Sequence, residues 1–482
     1  MANIKFIKTE AVPLEMHKVR IVERIRLIPL EERIKKNKEA GNNAHLLKNE
    51  DVFLDMLTDS GVNAMSDKQL AAMMVADDAY AGSASFYKLE EKIKEIFGMK
   101  YFIPAHQGRA CEHLLSRVYV KPGKIVPSNY HFTTTRALIE KAKGEGLELV
   151  SDEGLIADSK HPFKGNIDVN KLQQFIEKEG TGKIAFLRIE AGTNLIGGQP
   201  VSLENIKEVT AICKKNKIMS ILDASLLADN LYFMKKREEK CKGMEIKDII
   251  AEISKCFDII YFSARKLTCA RGGGMCFRKE EDYIKIRDII PLYEGFSTYG
   301  GVSVREIEAM AVGLEETLEE EMISQGPIFI EEMTRLLVDN KVPMVTPPGG
   351  LGVHIDCKKF LPNVPPEQYP AAAVACALYL VSGIRGTERG TLSEERDENG
   401  NEVFAKMELL RLALPRRVFT LSQIKYAVDR IIWLYENREL LGGLKFVEEP
   451  KVLRFFFGKL EPIGDWQKNL VKKFKEDFGD SL

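Results

Sequence analysis

The sequence predicts an α/β protein with a large, mostly parallel sheet and a second, smaller α+β domain. Three observations indicate this fold. Short apolar strands alternate with amphipathic helices through the first two thirds of the chain. Two of these strands end in groups that can do chemistry, Asp223 and Lys266. A chain of 482 residues is also too long for one hydrophobic core, so we expect two domains.

The two predicted domains differ in size, and the smaller one draws on both ends of the chain. The predicted segments are an N-terminal arm with part of the small domain (1–56), the large domain (57–325) and the rest of the small domain (326–482), with an extra tail at 464–482. In that tail Trp466, Leu470 and Phe474 recur at helical spacing, which predicts a helix packed on the chain or on a partner.

Composition excludes several classes of function. Lys plus Arg (70) nearly balances Asp plus Glu (71), which argues against nucleic-acid or anionic-membrane partners. The sequence has no apolar run of about 18 residues and no apolar signal core, so we expect a cytoplasmic enzyme without membrane segments. The eight cysteines form no CxxC pair, which predicts reduced thiols and neither a zinc site nor disulfides.

The elements of the large domain follow from apolar periodicity and turn residues. A helix over 86–97 is expected to stop at Gly98. Strands are predicted at 101–103, 124–126, 147–150, 184–190, 218–222 and 259–262, and one long helix at 303–324. For the small domain we predict helices at 29–39, 328–340 and 367–382, strands at 352–356 and 409–414, and a solvated polar loop at 394–402.

Lys266 and Asp223 form the first candidate pair. An amine held against an apolar strand can be partly desolvated, which makes it nucleophilic toward an aldehyde cofactor. A carboxylate at a neighbouring strand end can keep a pyridine nitrogen protonated, and the ring then acts as an electron sink. An acid followed by a lysine is the arrangement that serves pyridoxal phosphate. The alternative is that Arg265 and Lys266 form only a solvated basic turn.

A candidate phosphate site lies in the turn after the strand at 101–103. Gln107, Gly108 and Arg109 join this strand to a helix, a geometry that presents free backbone N–H groups and a positive helix end to an anion. Arg109 adds a charge-assisted donor.

Two further polar residues stand out against their surroundings. Arg411 lies in an apolar strand and binds either a substrate carboxylate or an internal carboxylate. Asn194 follows another strand and either reaches a cofactor oxygen or forms a turn.

Longer motifs point to a known family. They are TDSGVNAMSDKQ (58–69), DDAYAGSASFYKLE (77–90), HQGR (106–109), HFTTTR (131–136), NLIGGQP (194–200), YEGFSTYGG (293–301), ERG (388–390), LPRR (414–417) and EPKVLRFF (449–456). Together they resemble the β-eliminating lyases, pyridoxal phosphate enzymes of fold type I with an aspartate aminotransferase-like architecture. The resemblance runs from about residue 20 to about residue 463.

The resemblance implies a role for each matching residue. The implied contacts to pyridoxal 5'-phosphate are Gln107, Gly108, Arg109, Phe132, Asn194, Asp223, Ser263, Arg265 and the Schiff-base residue Lys266. Arg411, helped by Ser60, would hold the substrate α-carboxylate, and Tyr80 would act as an acid near the leaving group. Family elements similar to the N-terminal arm and the Tyr80 loop reach a neighbouring subunit, which implies a homotetramer built as a dimer of dimers.

Within the family, the matches favour L-tyrosine as substrate, split into phenol, pyruvate and ammonia. Arg389 and Thr133 match the residues that hold the phenol hydroxyl, and Phe296 and Phe455 would close the pocket around the ring. Glu388 is an alternative, internal partner for Arg389. The alternative activities are elimination from tryptophan or another β-substituted amino acid, and transamination.

Two departures from the family pattern bear on the chemistry. Leu226 stands where the family has an arginine that contacts the cofactor's phenolic oxygen, which leaves open a pyridoxal phosphate-binding protein of altered activity. Gly61 and Asp78 match a monovalent-cation site, in which Asp78 replaces a glutamate and Arg271 falls at a carbonyl ligand. Potassium is therefore an expected cofactor whose requirement the sequence leaves open.

Overall fold

The computed structural model describes residues 6–479 and residue 481. Among these residues the chain forms two compact units. Unit 1 comprises residues 60–327, and unit 2 comprises residues 6–59 together with the chain from residue 328 onward. Unit 2 is thus built from both ends of the described chain.

The α-helices and strands are numbered along the chain. The helices are α1 Leu30–Glu39, α2 Asp67–Met73, α3 Ala84–Phe97, α4 Gly108–Tyr119, α5 Thr133–Lys141, α6 Val169–Glu179, α7 Leu203–Lys215, α8 Leu227–Arg237, α9 Ile246–Ser254, α10 Ala264–Leu267, α11 Glu280–Arg287, α12 Ile290–Tyr293, α13 Val304–Glu316, α14 Glu320–Ser324, α15 Pro327–Asp339, α16 Cys357–Phe360, α17 Pro370–Ser382, α18 Leu421–Glu436, α19 Arg454–Phe457 and α20 Trp466–Phe478. The strands are β1 Leu54–Asp55, β2 Tyr101–Ala105, β3 Ile125–Ser128, β4 Glu145–Glu148, β5 Leu187–Glu190, β6 Ser220–Asp223, β7 Ile259–Ser263, β8 Gly273–Phe277, β9 Gly352–Asp356, β10 Ile384–Arg385, β11 Thr387–Arg389, β12 Leu409–Ala413, β13 Leu444–Glu448 and β14 Lys459–Pro462.

Unit 1 is organised around a seven-stranded sheet with the strand order β2-β8-β7-β6-β5-β3-β4. Its strands run parallel except for β8, which is antiparallel to both of its neighbours. Strands β5 to β8 are buried along their whole length, as expected for a sheet covered on both faces. The predicted α/β class is therefore confirmed.

The register of the central strands brings their carboxyl ends to one edge of the sheet. Glu190 at the end of β5 pairs with Asp223 at the end of β6, and Asp223 pairs with Tyr261 near the end of β7. Polar side chains at the ends of these three strands are therefore neighbours, although they are far apart in sequence.

The helix prediction is confirmed for α3, where apolar residues recur at helical spacing and a glycine ends the helix. In α3 the apolar positions Phe86, Leu89, Ile93 and Phe97 are buried, and Gly98 ends the helix with φ 61° in the left-handed region. The helix predicted at 303–324 is wrong as one element, because α13 ends at Glu316 and α14 begins at Glu320.

The physical reason for this break lies in the residues between the two helices. The hydroxyl of Thr317 donates to the carbonyl of Leu314 at 2.6 Å, and Glu319 has extended backbone angles that start a new helix.

Unit 2 contains a three-stranded antiparallel sheet in the order β11-β12-β9 and two two-stranded sheets, β1 with β10 and β13 with β14. Helix α17 is buried on every side, because nearly all of its residues are apolar. The C-terminal helix α20 places Trp466, Leu470 and Phe474 in the core of this unit. The predicted tail helix is confirmed, and of its two expected partners the chain itself is the one that these three residues contact.

The N-terminal arm behaves differently from the rest of unit 2. Residues 6–29 contain no helix or strand, and the apolar side chains of Ile7, Val19, Ile21 and Val22 are exposed. Across the described residues, no helix combines the length and apolar character needed to cross a membrane.

Candidate active site

The phosphate-type turn lies directly against the end of β7. Gly108 is the first residue of α4, and a Cβ added to it would lie 3.0 Å from the Cβ of Ser263. Any side chain at this position would therefore force the strand end to move away by a few tenths of an ångström. The backbone N–H groups at the start of α4 and the Ser263 side chain are thus held side by side.

Several guanidinium groups converge on the same place. Burial, followed by the neighbouring guanidinium groups of Arg271 and Arg109, lowers the pKa of Arg265. The buried Nε of Arg265 has no hydrogen-bond acceptor within the described part of the chain, and its Nη2 donates to the carbonyl of Ser60 at 3.3 Å. Gly61 (φ 80°) packs on this guanidinium, where a Cβ would clash at 2.4 Å. A cluster of cations with a buried donor left over fits a bound phosphate.

Asp223 is buried in a dense hydrogen-bond network. Its Oδ2 accepts from Arg188 Nη2 at 2.6 Å and from the Tyr261 hydroxyl at 2.9 Å, and its Oδ1 accepts from the backbone N–H of Ser225 at 2.9 Å. The Ser225 hydroxyl in turn accepts from the backbone N–H of Ser263 at 3.0 Å, which ties the ends of β6 and β7 together. The carboxylate is consequently held in one orientation.

Lys266 and Asn194 border this network. Lys266 is half-buried in α10, one short turn after β7, and lies close enough to act electrostatically on Glu190. Asn194 is buried just after β5, and its backbone N–H donates to Glu190 Oε1 at 3.3 Å. Unit 1 therefore brings Lys266, Asp223 and Asn194 around one buried carboxyl group.

Sequence reasoning missed three charged residues of this network: Arg188, Glu190 and Glu112. Arg188 and Glu190 could have been found from the sequence, because charged residues are rare in an apolar strand such as β5. Arg411 was singled out in another strand for this same reason. Glu112 carries no such signal. It lies on α4, where its Oε1 is 3.1 Å from the Tyr261 hydroxyl and 3.8 Å from Arg188 Nη2.

The other predicted residues of unit 1 lie in two places. Phe132 immediately precedes α5 and Thr133 is its first residue. Tyr80 is 69% exposed and stacks on Phe296 with ring centroids 6.0 Å apart. Tyr80 and Phe296 are therefore a contacting pair.

The residues expected at a monovalent-cation site have other partners in the structure. Asp78 lies 3.4 Å from Arg305 Nε, and the backbone N–H of Gly61 donates to the carbonyl of Arg265 at 3.2 Å. Within the described residues, no cluster of three or more His, Cys, Asp or Glu side chains is arranged to hold a metal ion.

Unit 2 carries two buried arginines on one face of its sheet. Arg411 on β12 pairs with Thr387 on β11, and Arg389 pairs with Leu409, so both guanidinium groups project from the same face. Arg411 Nη2 donates to the carbonyl of Leu57 at 2.8 Å. Burial lowers the pKa of Arg411 to about 10, although Asp59 partly offsets this effect.

Aromatic rings surround Arg389. Its guanidinium lies 5.5 Å from the ring centroid of Phe455, and Phe455 packs edge-on against His45 at 5.4 Å. Burial, then Arg389 and Arg411, lowers the pKa of His45 to about 3, so this histidine stays neutral. Sequence reasoning assigned no role to His45. The face thus combines two cations with apolar ring surface, which suits a ligand with an aromatic ring and an anionic oxygen.

Glu388, the alternative internal partner predicted for Arg389, lies in a carboxyl pair. A Cβ added to Gly390 would lie 3.0 Å from Glu388 Oε1 and 2.1 Å from Glu408 Oε2, so the two carboxyl groups are neighbours. Burial, followed by Glu408, raises the pKa of Glu388 to about 8, against the effects of Ser393 and Arg389. Glu388 is therefore a weak counterion for Arg389 at neutral pH.

The raised pKa of Glu388 predicts a pH-dependent stability. The folded pKa of about 8 exceeds the ordinary value of 4.5, so this group's contribution to stability is complete below pH 4.5 and is lost as pH rises through 8. Between pH 5 and pH 8.5 the unmodified protein should lose on the order of 4 kcal/mol more of its free energy of unfolding than Glu388→Gln, which cannot titrate at this position.

Urea titrations at the two pH values measure this difference, with Glu398→Gln in the exposed loop as the matched control. If the Glu388→Gln protein and the unmodified protein lose stability in parallel between pH 5 and pH 8.5, Glu388 does not titrate as described.

Comparisons with known proteins identify the family of this chain. The family model for β-eliminating lyases matches residues 55–429. The chain is 42% identical to the tyrosine phenol-lyase of Pasteurella multocida over 452 residues, which cover 93% of this chain and 99% of the relative. It is 40% identical to the tyrosine phenol-lyase of Symbiobacterium thermophilum over 451 residues, or 93% and 98% of the two chains.

Two solved structures share the fold at low sequence identity. A serine palmitoyltransferase from Sphingomonas wittichii matches with a TM-score of 0.56 and 13% identity, covering 81% of this chain and 88% of the other. An aminotransferase from Staphylococcus aureus also gives a TM-score of 0.56, with 14% identity over 80% and 94% of the two chains. The fold-type prediction is thus confirmed by structure, and the long sequence matches establish that the chain is a lyase of the β-eliminating lyase family.

Proposed function

We propose that this lyase uses pyridoxal 5'-phosphate to split L-tyrosine into phenol, pyruvate and ammonia. The observation that carries the choice of substrate is the buried guanidinium of Arg389 over the ring of Phe455. A guanidinium beside an aromatic ring suits a ligand whose ring carries an oxygen, because the cation stabilises a phenol oxygen that gains negative charge. The relatives named tyrosine phenol-lyase, about 40% identical to this chain, support the same choice.

The residues of unit 1 fit the proposed cofactor. The helix start at Gly108, Ser263 and the cluster of Arg109, Arg265 and Arg271 would hold its phosphate. Asp223 would bind its ring nitrogen and Asn194 its phenolic oxygen, while Phe132 would stack on the ring. When bound, the cofactor supplies an electron sink for the carbanion formed at the substrate α-carbon.

The chain's own side chains would move the protons and orient the substrate. Lys266 Nζ would hold the cofactor through its aldehyde and, when free, would take the α-proton of the substrate. Arg411 would hold the α-carboxylate as a bidentate partner, helped by Ser60.

The leaving group requires a second proton transfer. An aryl carbanion leaves poorly, so Tyr80 would protonate the substrate ring carbon while Arg389 and Thr133 hold the phenol oxygen in its keto form. Phenol then departs as a neutral molecule.

Assembly and cation requirement belong to the same proposal. The exposed apolar side chains of the arm, among them Ile7, Val19, Ile21 and Val22, support a homotetramer in which neighbouring subunits cover them. Gly61 and Asp78 remain the proposed contacts for potassium, although Arg305 competes for Asp78.

Incubating the cofactor-loaded protein with separate amino acids tests the activity. With L-tyrosine we expect phenol, pyruvate and ammonia in equal amounts, identified by mass, without any added keto acid. Release of indole from tryptophan and no phenol from tyrosine would overturn the choice of substrate. Products that form only when a keto acid is added would indicate transamination instead.

A further inference from the structure

Strand β5 contains two buried charged residues that the proposed reaction does not use. Arg188 is 2% exposed and Glu190 is 6% exposed, and both lie on the same face of the strand because they are two residues apart. Burying charges in the middle of a sheet is costly unless every partner is in place.

Arg188 joins this pair to Asp223. Its Nη2 donates to Asp223 Oδ2 at 2.6 Å, its Nε donates to the Tyr261 hydroxyl at 2.8 Å, and its Nη1 donates to Glu190 Oε2 at 3.3 Å. Nη1 also lies 3.3 Å from the carbonyl of Tyr130. A single guanidinium therefore bridges two carboxyl groups at the ends of adjacent strands.

The carboxylate of Asp223 can accept one further hydrogen bond. Oδ2 already accepts two hydrogen bonds, from Arg188 and Tyr261, and Oδ1 accepts one, from the backbone of Ser225. A carboxylate oxygen can accept two hydrogen bonds, so Oδ1 keeps one position for one more donor. A protonated ring nitrogen is a donor of this kind.

Protonation of a ring nitrogen at this position also depends on the net charge of the side chains around Asp223. Arg188 offsets the charge of Asp223, so these two residues alone attract a cation only weakly. Arg188 also faces Glu190, at 3.3 Å, and more distantly Glu112, at 3.8 Å, so the charge of Glu190 changes the balance. With Glu190 ionised, the three side chains carry one net negative charge, and with Glu190 protonated they carry none.

We propose that Glu190 is a positioning residue that acts through Arg188 and Asp223, and that its negative charge keeps the cofactor's ring nitrogen protonated. The proposal rests on the assignment of Asp223 to that nitrogen in the proposed function. Its consequence is that the strength of the electron sink depends on a carboxyl group that does not bind the cofactor nitrogen itself.

The surroundings of Glu190 make its charge adjustable near neutral pH. Burial raises the pKa of Glu190 to about 7, with Asp223 acting in the same direction and Arg188 and Lys266 acting against it. The titratable and charged groups that face it, directly or through Arg188, are Arg188 on β5, Asp223 on β6, Tyr261 on β7, Lys266 on α10 and Glu112 on α4. Glu190 is therefore ionised above about pH 7 and protonated below it.

The test reads the ring nitrogen directly. The holoenzyme is prepared with ¹⁵N-labelled pyridoxal 5'-phosphate, and the ¹⁵N chemical shift of the ring nitrogen is followed from pH 6 to pH 10. In the Glu190→Gln variant we expect the nitrogen to lose its proton at a pH lower by about one unit or more, a tenfold change in the proton affinity.

Two further variants separate charge from packing. Glu190→Asp keeps the charge and is expected to titrate as the unmodified protein does. Glu238→Gln alters another buried carboxylate of unit 1, which caps the start of α7 through the N–H groups of Leu203 and Glu204 and should leave the nitrogen unchanged.

Each possible result either supports or overturns the proposed role of Glu190. An unchanged titration in Glu190→Gln, or an equal shift in Glu190→Asp, overturns the proposal. If Glu190→Gln takes up no cofactor while Glu190→Asp does, the charge is required as proposed, and if neither does, Glu190 is only structural. If the unmodified protein itself binds no cofactor at Lys266, the proposed function fails instead.

Discussion

Replacing Lys266 by alanine is expected to lower the rate of β-elimination by at least about 10³-fold, because the same amine binds the cofactor and moves the α-proton. The covalent link to the cofactor should disappear as well. Treatment with borohydride followed by peptide mass mapping checks this result. The unmodified protein should carry the reduced adduct on Lys266, and Lys266→Ala should carry none.

The surface residue Lys255 provides the control for the loss of an amine. Its side chain is 70% exposed and pairs with Glu252 of α9, directly after the end of that helix, so Lys255→Ala should keep both the adduct and the activity. An adduct that persists at another lysine in Lys266→Ala would show that the cofactor is bound elsewhere. Adding methylamine should restore part of the proton transfer to Lys266→Ala if the missing amine is the cause.

The strand ends of unit 1 could be predicted because their signals are local. Asp223 and Lys266 each follow a short apolar run, and parallel strands separated by helices place their carboxyl ends on one edge of the sheet. The turn from Gln107 to Arg109 could be predicted in the same way, since Arg109 adds a charge-assisted donor to the free backbone N–H groups of a helix start. These inferences required the order of elements but no knowledge of side-chain contacts.

The network behind Asp223 could not be predicted as a whole. The sequence shows Arg188 and Glu190 as charges in an apolar strand, but it does not show that Tyr261 and Glu112, on other elements, complete their hydrogen bonds. Such partners are brought together by packing of the sheet against α4, which depends on contacts between residues more than seventy positions apart.

The sequence and the structure lead to different interpretations of Leu226. Against the family pattern it removes a cation from the cofactor site. In the structure its side chain is 2% exposed at the start of α8, and its Cβ lies 2.8 Å from where a Cβ on Gly192 (φ 76°) would be. Leu226 is thus a packed core residue, and the charges nearest to Asp223 come from β5 instead.

Helix breaks were the least predictable part of the fold. The run from 303 to 324 is apolar at helical spacing throughout, but Thr317 turns its hydroxyl back onto its own helix and the chain restarts at Glu320. A threonine in a helix gives no warning of this from its identity alone.

Replacing Arg389 by alanine is expected to lower the turnover of L-tyrosine by about 10²-fold to 10³-fold while leaving elimination from S-methyl-cysteine within about threefold of the unmodified protein. A phenol leaving group needs a cation at its oxygen while the ring carbon is protonated, whereas a thiolate leaves without any change in a ring. The ratio of kcat/KM for the two substrates measures the effect, because a general loss of folded protein lowers both values equally.

Arg385 supplies the matched control for Arg389. It is also a buried arginine of unit 2, on β10, which precedes β11 in the chain, but its guanidinium is held by Asp55 in two hydrogen bonds of 2.6 and 2.9 Å. Arg385→Ala should therefore lower stability and reduce both activities together, without changing their ratio. If Arg389→Ala also reduces both substrates equally, its guanidinium serves the fold, as that of Arg385 does, and the phenol oxygen must be bound by another group.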